Sequence, residues 1–331
     1  MASKENRSIS AAILKQPILV LIILFIVVVG FVNPSFVSIA NLKNVLVDAS
    51  IYGVSALAMT IAIICGEFDL SLSSNFMWSQ IFFCYLLNSW GNTYLGILAA
   101  WLCMLLTCMF FGALNGLIVV KGKVSSFITT LGMMMMIKGL CLVFTDGQMV
   151  STSNEFVKMM GKGTLFGFSY LTYIFIFMVL MAFYVMKYTR FGRSLYATGG
   201  NYTAAQLSGI NVEFNKFIIF VILGLAAGIS GSMFVCLMRA GSVLYGADLS
   251  LTCVAATVIG GTPLSGGKGS VLRTVIGVLV IYVLYKSLAF LGLQGYFNTL
   301  IKGLALLLVV TFDAYMSKTG KRGINVGKRA Q

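Results

Sequence analysis

The amino-acid sequence predicts an all-α membrane protein, a polytopic transmembrane bundle of about ten helices. Hydrophobic residues make up 59% of the 331 residues and charged residues only 10%, whereas soluble domains carry roughly 25% charged residues. The mean hydropathy is +0.97. The apolar residues also form long runs, and ~20 apolar residues are enough for a helix to cross ~30 Å of hydrocarbon.

Ten apolar runs follow one another with short polar connections, and each is interpreted as one span. The eighth run is short for a full crossing, so we expect it to form a broken or half helix. The runs cover residues 17–32, 46–65, 72–88, 94–120, 126–144, 169–186, 215–238, 250–261, 274–291 and 298–315.

The connections between the runs leave no room for a soluble domain. We therefore predict a single transmembrane domain over residues 1–331, with a polar tail at 1–16 and a basic tail at 316–331. The longest internal polar stretch, residues 145–167, is expected to form a lid or a short surface helix. The first run lacks a small-residue cleavage site and is interpreted as a retained span rather than a signal peptide.

The net charge of +14 is explained by membrane topology rather than by nucleic-acid binding. With ten spans, one side of the membrane collects the cations of both tails and of the connections after spans four, six and eight. The opposite side holds Lys43, Lys158, Lys162 and Arg239. Because cytoplasmic loops carry the excess of Lys and Arg, both termini and both tails are predicted to be cytoplasmic.

Metal and enzyme chemistry are not expected. The chain has seven cysteines and no histidine, and no two cysteines have the C-x-x-C spacing of a zinc site. Glu67 and Asp69 are close in sequence, but they lie at a membrane junction rather than in a pocket suited to paired carboxylates. They are interpreted as helix-capping or pathway-lining residues, with proton coupling as the alternative for charges placed in spans.

A short motif occurs twice. Asp69-Leu70-Ser71-Leu72-Ser73 recurs as Asp248-Leu249-Ser250-Leu251-Thr252, and each copy opens an apolar run. Asp followed by hydroxyl residues can cap the free N–H groups of a helix. The cap and pathway candidates are therefore Glu67, Asp69, Ser71, Asp248 and Ser250. Five spans separate the copies, which predicts that they face opposite sides of the membrane, as in inverted-topology repeats.

Two polar, glycine-rich islands stand between the apolar runs. Residues 259–270 are similar in composition to a phosphate-binding loop, but Thr262 and Gly269 occupy positions where that loop needs Gly and Ser or Thr. Residues 259–270 are instead predicted to form a tight turn in a cytoplasmic loop, the second of the two glycine-rich islands along the chain. The candidate site residues of this second cytoplasmic loop are Gly260, Gly261, Gly266, Gly267 and Lys268.

The other island, residues 193–212, is predicted to contain a short helix over 203–207. Asn201 caps this helix, Gly209 ends it, and Gly199 and Gly200 allow the backbone to turn tightly into it. A short amphiphilic helix on the cytoplasmic face suits a groove on a partner protein. The alternative is a surface helix that only closes the bundle.

Four segments resemble the sugar-type ABC importer permeases, in particular the ribose-type members. They are RFGRSLYATGGNYTAAQLSGINV (190–212), VIGGTPLSGGKGSVLRTVIG (258–277), GEFDLSLSS (66–74) and TLG (130–132). The similarity covers nearly the whole chain. Glu67-Phe68 replace the usual Gly-Ile and Pro263 replaces the usual Ser, departures that bear on the substrate rather than on the fold.

The resemblance implies the membrane subunit of an importer for a monosaccharide, with a ribose-like pentose first among them, in the cytoplasmic membrane of a prokaryote. It implies a homodimer, an ABC ATPase subunit, and an extracytoplasmic sugar-binding protein or lipoprotein. The partner ATPase would use ATP and Mg²⁺, and this chain would bind no cofactor and catalyse no reaction. The coupling residues that it implies are Arg193, Tyr196, Gly199, Gly200, Asn201, Thr203, Gln206 and Gly209.

Two alternatives remain open at this point. The nearer is a nucleoside or branched-chain amino-acid permease of the same superfamily. The more distant is an ion-coupled secondary transporter, which would leave residues 190–212 without a purpose.

Overall fold

The computed structural model describes residues 27–292 and the single positions 297, 300, 303, 304, 307 and 311. Between residues 33 and 290, a short 3-10 helix, Pro34–Val37, precedes eleven α-helices. They are α1 Ile39–Cys65, α2 Leu72–Trp90, α3 Tyr94–Lys121, α4 Ser126–Thr145, α5 Glu155–Lys162, α6 Tyr170–Tyr188, α7 Arg190–Gly200, α8 Tyr202–Leu207, α9 Val212–Met238, α10 Leu249–Ile259 and α11 Val271–Phe290. The predicted tails and most of the first and tenth runs lie outside the described residues.

Six of the helices in the described part of the chain are long and apolar enough to cross a membrane: α1, α3, α4, α6, α9 and α11. This confirms an all-α, multi-span protein. The helix α2 coincides with the third predicted span, but its first turns are rich in Ser, Asn and Gln, which lowers its hydropathy. The helix α10 has 11 residues, as expected for the short eighth run. The total of ten spans and the side of the termini stay predictions.

Four two-residue strands complete the described structure. The strand β1 (Val150–Ser151) pairs antiparallel with β4 (Ala240–Gly241), and β2 (Thr164–Leu165) pairs antiparallel with β3 (Phe168–Ser169). The surface helix predicted within residues 145–167 is present as α5. The strands beside it were not predicted, because two-residue strands leave no periodic pattern in a sequence.

The chain divides into two compact units, residues 47–278 and residues 1–46 with 279–331. In the second unit, the Phe36 and Phe290 rings meet edge to face with centroids 5.7 Å apart. The Asn33 side-chain amide donates to the Phe290 carbonyl at 3.4 Å.

The first unit is organised around α9, which packs against α3 with the two backbones close together. A Cβ on Gly112 would collide with the Phe220 carbonyl, and a Cβ on Gly224 would collide with the Cys108 carbonyl. Small residues allow membrane helices to approach in this way. All the site residues described below lie in this unit.

Candidate functional site

The segment at residues 190–212, which contains the island 193–212, folds into two successive short helices, α7 and α8. Asn201 separates them in an extended conformation, and its Oδ1 accepts a hydrogen bond from the N–H of Ala204 at 3.0 Å. The predicted cap is therefore confirmed, although α8 begins at Tyr202, one residue earlier than predicted. Gly209 has φ +80°, and the N–H of the next residue, Ile210, donates to the Ala205 carbonyl at 3.1 Å. Gly209 thus ends the helix as predicted.

The helix α8 is anchored by one side chain and exposes the others. Ala205 is buried, whereas Thr203 and Gln206, which are three residues apart and share a face, are exposed. Leu207 is 84% exposed. A six-residue helix that turns an apolar side chain away from its own protein is shaped for a contact with another surface. The sequence analysis did not single out Leu207. It assigned this residue to the short helix without predicting which face of the helix is exposed.

The role predicted for Gly199 and Gly200 was wrong. Both residues belong to the last turn of α7, and neither has a positive φ. The turn into α8 is made by Asn201 instead. Gly199 is required by a close approach, because a Cβ there would collide with the Ile64 carbonyl and lie 2.8 Å from the Gly267 nitrogen. A Cβ on Gly200 would meet only an ordinary contact, 3.9 Å from the Gly267 Cα.

The glycine-rich island at residues 259–270 packs against the end of α7. The Gly267 N–H donates to the Ile64 carbonyl, the next-to-last residue of α1, at 2.8 Å. Gly266 and Gly267 have φ +76° and +72°, so the predicted tight turn is confirmed. The two islands therefore meet at the end of α1, in what we call the glycine junction (Ile64, Gly66, Gly199, Gly200, Gly266 and Gly267).

The remaining candidate residues of the loop at 259–270 lie on either side of this turn. Gly260 caps the end of α10, and a Cβ there would lie 2.8 Å from the Arg273 carbonyl. Gly261 follows with φ +82°, and Lys268 is exposed.

A side-chain hydrogen bond also joins the two islands. The Tyr196 hydroxyl donates to the Gly269 carbonyl at 3.0 Å. Burial raises the pKa of Tyr196 above its ordinary value, although the nearby Arg273 opposes the shift, so the hydroxyl keeps its proton. Arg193 is exposed and reaches back to the Tyr188 carbonyl at 3.4 Å.

Glu67 forms a buried ion pair rather than a helix cap. The Lys216 Nζ contacts the Glu67 Oε1 and lies 5.2 Å from the centre of the Tyr202 ring, the first residue of α8. Glu67 is 4% exposed. The pair borders a cavity of about 490 Å³, whose polar lining also includes Lys123, Ser125, Ser126 and Glu213.

Ser71 rather than Asp69 occupies the N-cap position of α2, and Asp69 accepts hydrogen bonds from Ser71. The N–H and the hydroxyl of Ser71 donate to the Asp69 Oδ1 at 2.8 and 2.5 Å. Asn115 donates in turn to the Ser71 hydroxyl at 2.8 Å. Asp248 occupies the N-cap position immediately before α10, but its side chain makes no capping hydrogen bond.

The N-terminal N–H group of α10 is capped instead by the other copy of the repeated motif. The N–H of Ser250 donates to the Ser73 hydroxyl at 2.8 Å, and the N–H of Ser73 donates to the Ser250 hydroxyl at 2.9 Å. Ser250 also donates to the Leu70 carbonyl at 2.8 Å. The first turns of α2 and α10 are therefore in contact, and the expectation that the copies face opposite sides of the membrane stays a prediction. The inverted repeats themselves stay a prediction.

Comparison with known proteins identifies the family. The family model for the permease component of the branched-chain amino acid transport system matches residues 41–310. The ribose import permease protein RbsC of Escherichia coli strain K12 is 33% identical over 92% of this chain and 94% of the relative. RbsC of Bacillus subtilis strain 168 is 34% identical over 90% and 91%.

The L-arabinose transport system permease protein AraH of Escherichia coli strain K12 is 30% identical over 91% of this chain and 90% of the relative. No solved structure matches the chain. With six membrane-capable helices in its described part and a family match over most of its length, this multi-pass membrane protein belongs to the family of permease components described for the branched-chain amino acid transport system.

Proposed function

We propose that this chain is the permease subunit of an ABC importer that carries a monosaccharide, with a ribose-like pentose as the first candidate, across the cytoplasmic membrane of a prokaryote. The observation that carries the proposal is the capped, outward-facing α8, which follows the glycine junction directly in the chain. Relatives named for ribose and L-arabinose import support a sugar as the solute. The family description names branched-chain amino acids, which keeps an amino acid as the competing substrate class.

The partners follow from this role. Two copies of the chain would enclose the pathway, an ABC ATPase subunit would dock on the cytoplasmic side, and a sugar-binding protein or lipoprotein would deliver the solute on the other. ATP and Mg²⁺ would bind to the ATPase, and this chain would act through conformational change alone. Switching between outward and inward access is then a largely rigid-body movement of one bundle against the other.

The structure offers two routes from α8 into the bundle. The first runs from Tyr202 through Lys216 to Glu67, the second residue after α1. The second runs from the end of α7 through Gly267 into the loop that follows α10. A movement of α8 would therefore reach α1 through an ion pair and α10 through backbone packing.

Hydroxyl contacts extend the second route. The Thr60 hydroxyl of α1 lies 2.9 Å from the Thr257 hydroxyl of α10 and 2.8 Å from the Thr274 hydroxyl of α11. At its other end, α10 is capped by Ser73 of α2. Four helices are thus linked by short polar contacts, which are strong where water is scarce. A displacement at the glycine junction is expected to shift these helices as a unit.

Reconstitution tests the proposal. The chain would be placed in proteoliposomes with its ATPase and binding protein, and uptake of radiolabelled ribose, L-arabinose and leucine would be measured with and without ATP. We expect ATP-dependent uptake of a pentose, and no uptake driven by a proton or sodium gradient alone. ATP-dependent leucine uptake without pentose uptake would establish the amino-acid alternative, and gradient-driven uptake would refute the importer.

A further inference from the structure

A two-residue hairpin beside the first turn of α6 presents an aromatic side chain outward. The strands β2 and β3 are joined by Phe166 and Gly167, which have φ +48° and +81°. Positive φ at both central residues is the type I′ geometry, for which Asn-Gly is the favoured sequence. A bulky residue such as Phe is strained in the left-handed region.

The strained residue gains little packing from its own protein. The Phe166 side chain is 89% exposed, and the cross-strand partners Leu165 and Phe168 are 48% and 45% exposed. The hairpin therefore ends in three apolar side chains, with the largest of them at the tip. Strain of this kind at an exposed position indicates that the residue has a contact outside the chain.

The hairpin lies at the end of a membrane helix. The helix α6 has 19 residues, and at 1.5 Å per residue it is about 28 Å long, which matches the ~30 Å hydrocarbon thickness. Its first residue therefore lies close to a membrane surface. Three contacts hold the hairpin there: the Tyr170 N–H donates to the Gly163 carbonyl at 3.1 Å, the Ser169 hydroxyl caps α6, and the Tyr173 hydroxyl donates to the Leu165 carbonyl at 2.9 Å.

The exposed stripe of α6 leads directly to this hairpin. Phe177, Leu180 and Tyr184 are 65%, 60% and 61% exposed, and their spacing of three and four residues places them on one face. Tyr173, four residues before Phe177, stands on the same face and is the residue bonded to Leu165. On a spanning helix this face contacts acyl chains, so the apolar tip of the hairpin continues a lipid-facing surface beyond the end of the helix.

We propose that the hairpin, residues 164–169, is a bilayer anchor, with Phe166 inserted at the boundary between lipid headgroups and acyl chains. The partner is the lipid surface itself. Lys162, exposed just before the hairpin, supplies a cation at the level of the lipid phosphates, the usual neighbour of apolar anchors at an interface. The proposal does not depend on the solute that the protein transports.

Tryptophan fluorescence in lipid tests this anchor. Phe166→Trp would be made in a chain whose three native tryptophans (Trp78, Trp90 and Trp101) are changed to Phe, and reconstituted in phosphatidylcholine–phosphatidylglycerol vesicles. The matched control is Lys158→Trp on α5, where the native side chain is 44% exposed. We expect shallow-brominated lipid to quench the Phe166→Trp emission at least twofold more than the control, and aqueous iodide to quench it less.

Three outcomes would overturn the proposal. The first is equal iodide quenching at both positions with no effect of brominated lipid. The second is an emission shift that occurs only when the sugar-binding protein is added. The third is a disulfide between two copies of a Phe166→Cys chain, which would place the hairpin in a protein interface. If the tryptophan-free chain does not fold, a polarity-sensitive label on Phe166→Cys and Lys158→Cys, in a chain that keeps its tryptophans but lacks its seven native cysteines, gives the same comparison.

Discussion

The backbone N–H of Gly267 donates to the carbonyl of Ile64 across 2.8 Å, although 203 positions separate the two residues in the sequence. This contact holds the loop after α10 on the end of α1, and the end of α7 packs against both of them through Gly199. The two polar islands therefore form one surface rather than two, and this surface includes the base from which α8 projects.

The first prediction concerns two adjacent glycines with different surroundings. Gly199→Ala would push a methyl group into the Ile64 carbonyl, whereas the nearest atom to the same methyl on Gly200 is 3.9 Å away. Overpacking costs about 1–3 kcal/mol, so we expect Gly199→Ala to lower thermal stability and abolish coupled uptake. Gly200→Ala is the matched control and should be neutral or slightly stabilising, since Ala favours a helix. Equal melting temperatures for the two variants would argue against the junction.

The second prediction contrasts a buried ion pair with an exposed one. The side chains of Glu67 and Lys216 are 6% and 26% exposed, whereas those of Glu155 and Lys158 are 79% and 44% exposed. Removing one partner of a buried pair costs about 3–5 kcal/mol, and an exposed pair is worth about 0–1 kcal/mol. We expect Glu67→Gln to destabilise the purified chain strongly and Glu155→Gln to have almost no effect.

A double variant sharpens this comparison. Replacing both partners of a buried pair with apolar residues is often nearly neutral, so Glu67→Met with Lys216→Met should recover much of the stability lost by either single change. In this double variant, ATP hydrolysis by the partner ATPase should nevertheless be less tightly coupled to uptake, because the link from Tyr202 to α1 is gone. Full coupling in the double variant would show that the ion pair has a structural role alone.

The third prediction concerns the reciprocal caps of α2 and α10. Ser73→Ala and Ser250→Ala each remove one hydroxyl that accepts the N–H of the other residue, and a lost cap costs about 1 kcal/mol. Because both changes also break the 2.8 Å contact between the two hydroxyls, the double variant should lose less stability than the sum of the two singles. Ser89→Ala, at an exposed hydroxyl of α2, is the control. Strict additivity in thermal melts would contradict a shared contact.

The fourth prediction concerns the outer face of α8. Leu207 is 84% exposed and Leu244, beyond the other end of α9, is 81% exposed. We expect Leu207→Asp to leave the folding of the chain intact but to weaken binding of the ATPase at least tenfold, since a charge in the centre of an interface is poorly tolerated. Leu244→Asp should bind the ATPase as well as the unaltered chain does. Binding isotherms with the purified ATPase check both variants.

The local structure of this site was predictable from the sequence, and its long-range contacts were not. Asn201 and Gly209 have types and positions that specify the two ends of a helix, so α8 was predicted to within one residue. Gly199, by contrast, was assigned to a turn. A glycine needed for a positive φ and a glycine needed for a close backbone approach cannot be told apart in a sequence. Nothing in the spacing of the two islands indicates that their backbones touch.

The contact between the two copies of the repeated Asp-Leu-Ser-Leu motif was not predicted, for a different physical reason. Counting spans assigns each copy to a membrane face only if every apolar run crosses the bilayer completely. The helix α10 has 11 residues, about 16 Å at 1.5 Å per residue, so it cannot cross and its first turn is free to lie against α2. The Glu67–Lys216 pair was also missed, because an ion pair between residues far apart has no local pattern.

Cross-linking between this chain and its ATPase is the most direct test of the claim that α8 is the coupling contact. Single cysteines at Gln206 and at Lys268, the exposed position of the neighbouring loop, would be compared in the reconstituted complex with a short bifunctional reagent. We predict strong, nucleotide-dependent cross-links from Gln206 and weak ones from Lys268. Strong cross-links from Lys268 alone, with normal uptake by a chain whose residues 203–208 are scrambled, would contradict the account.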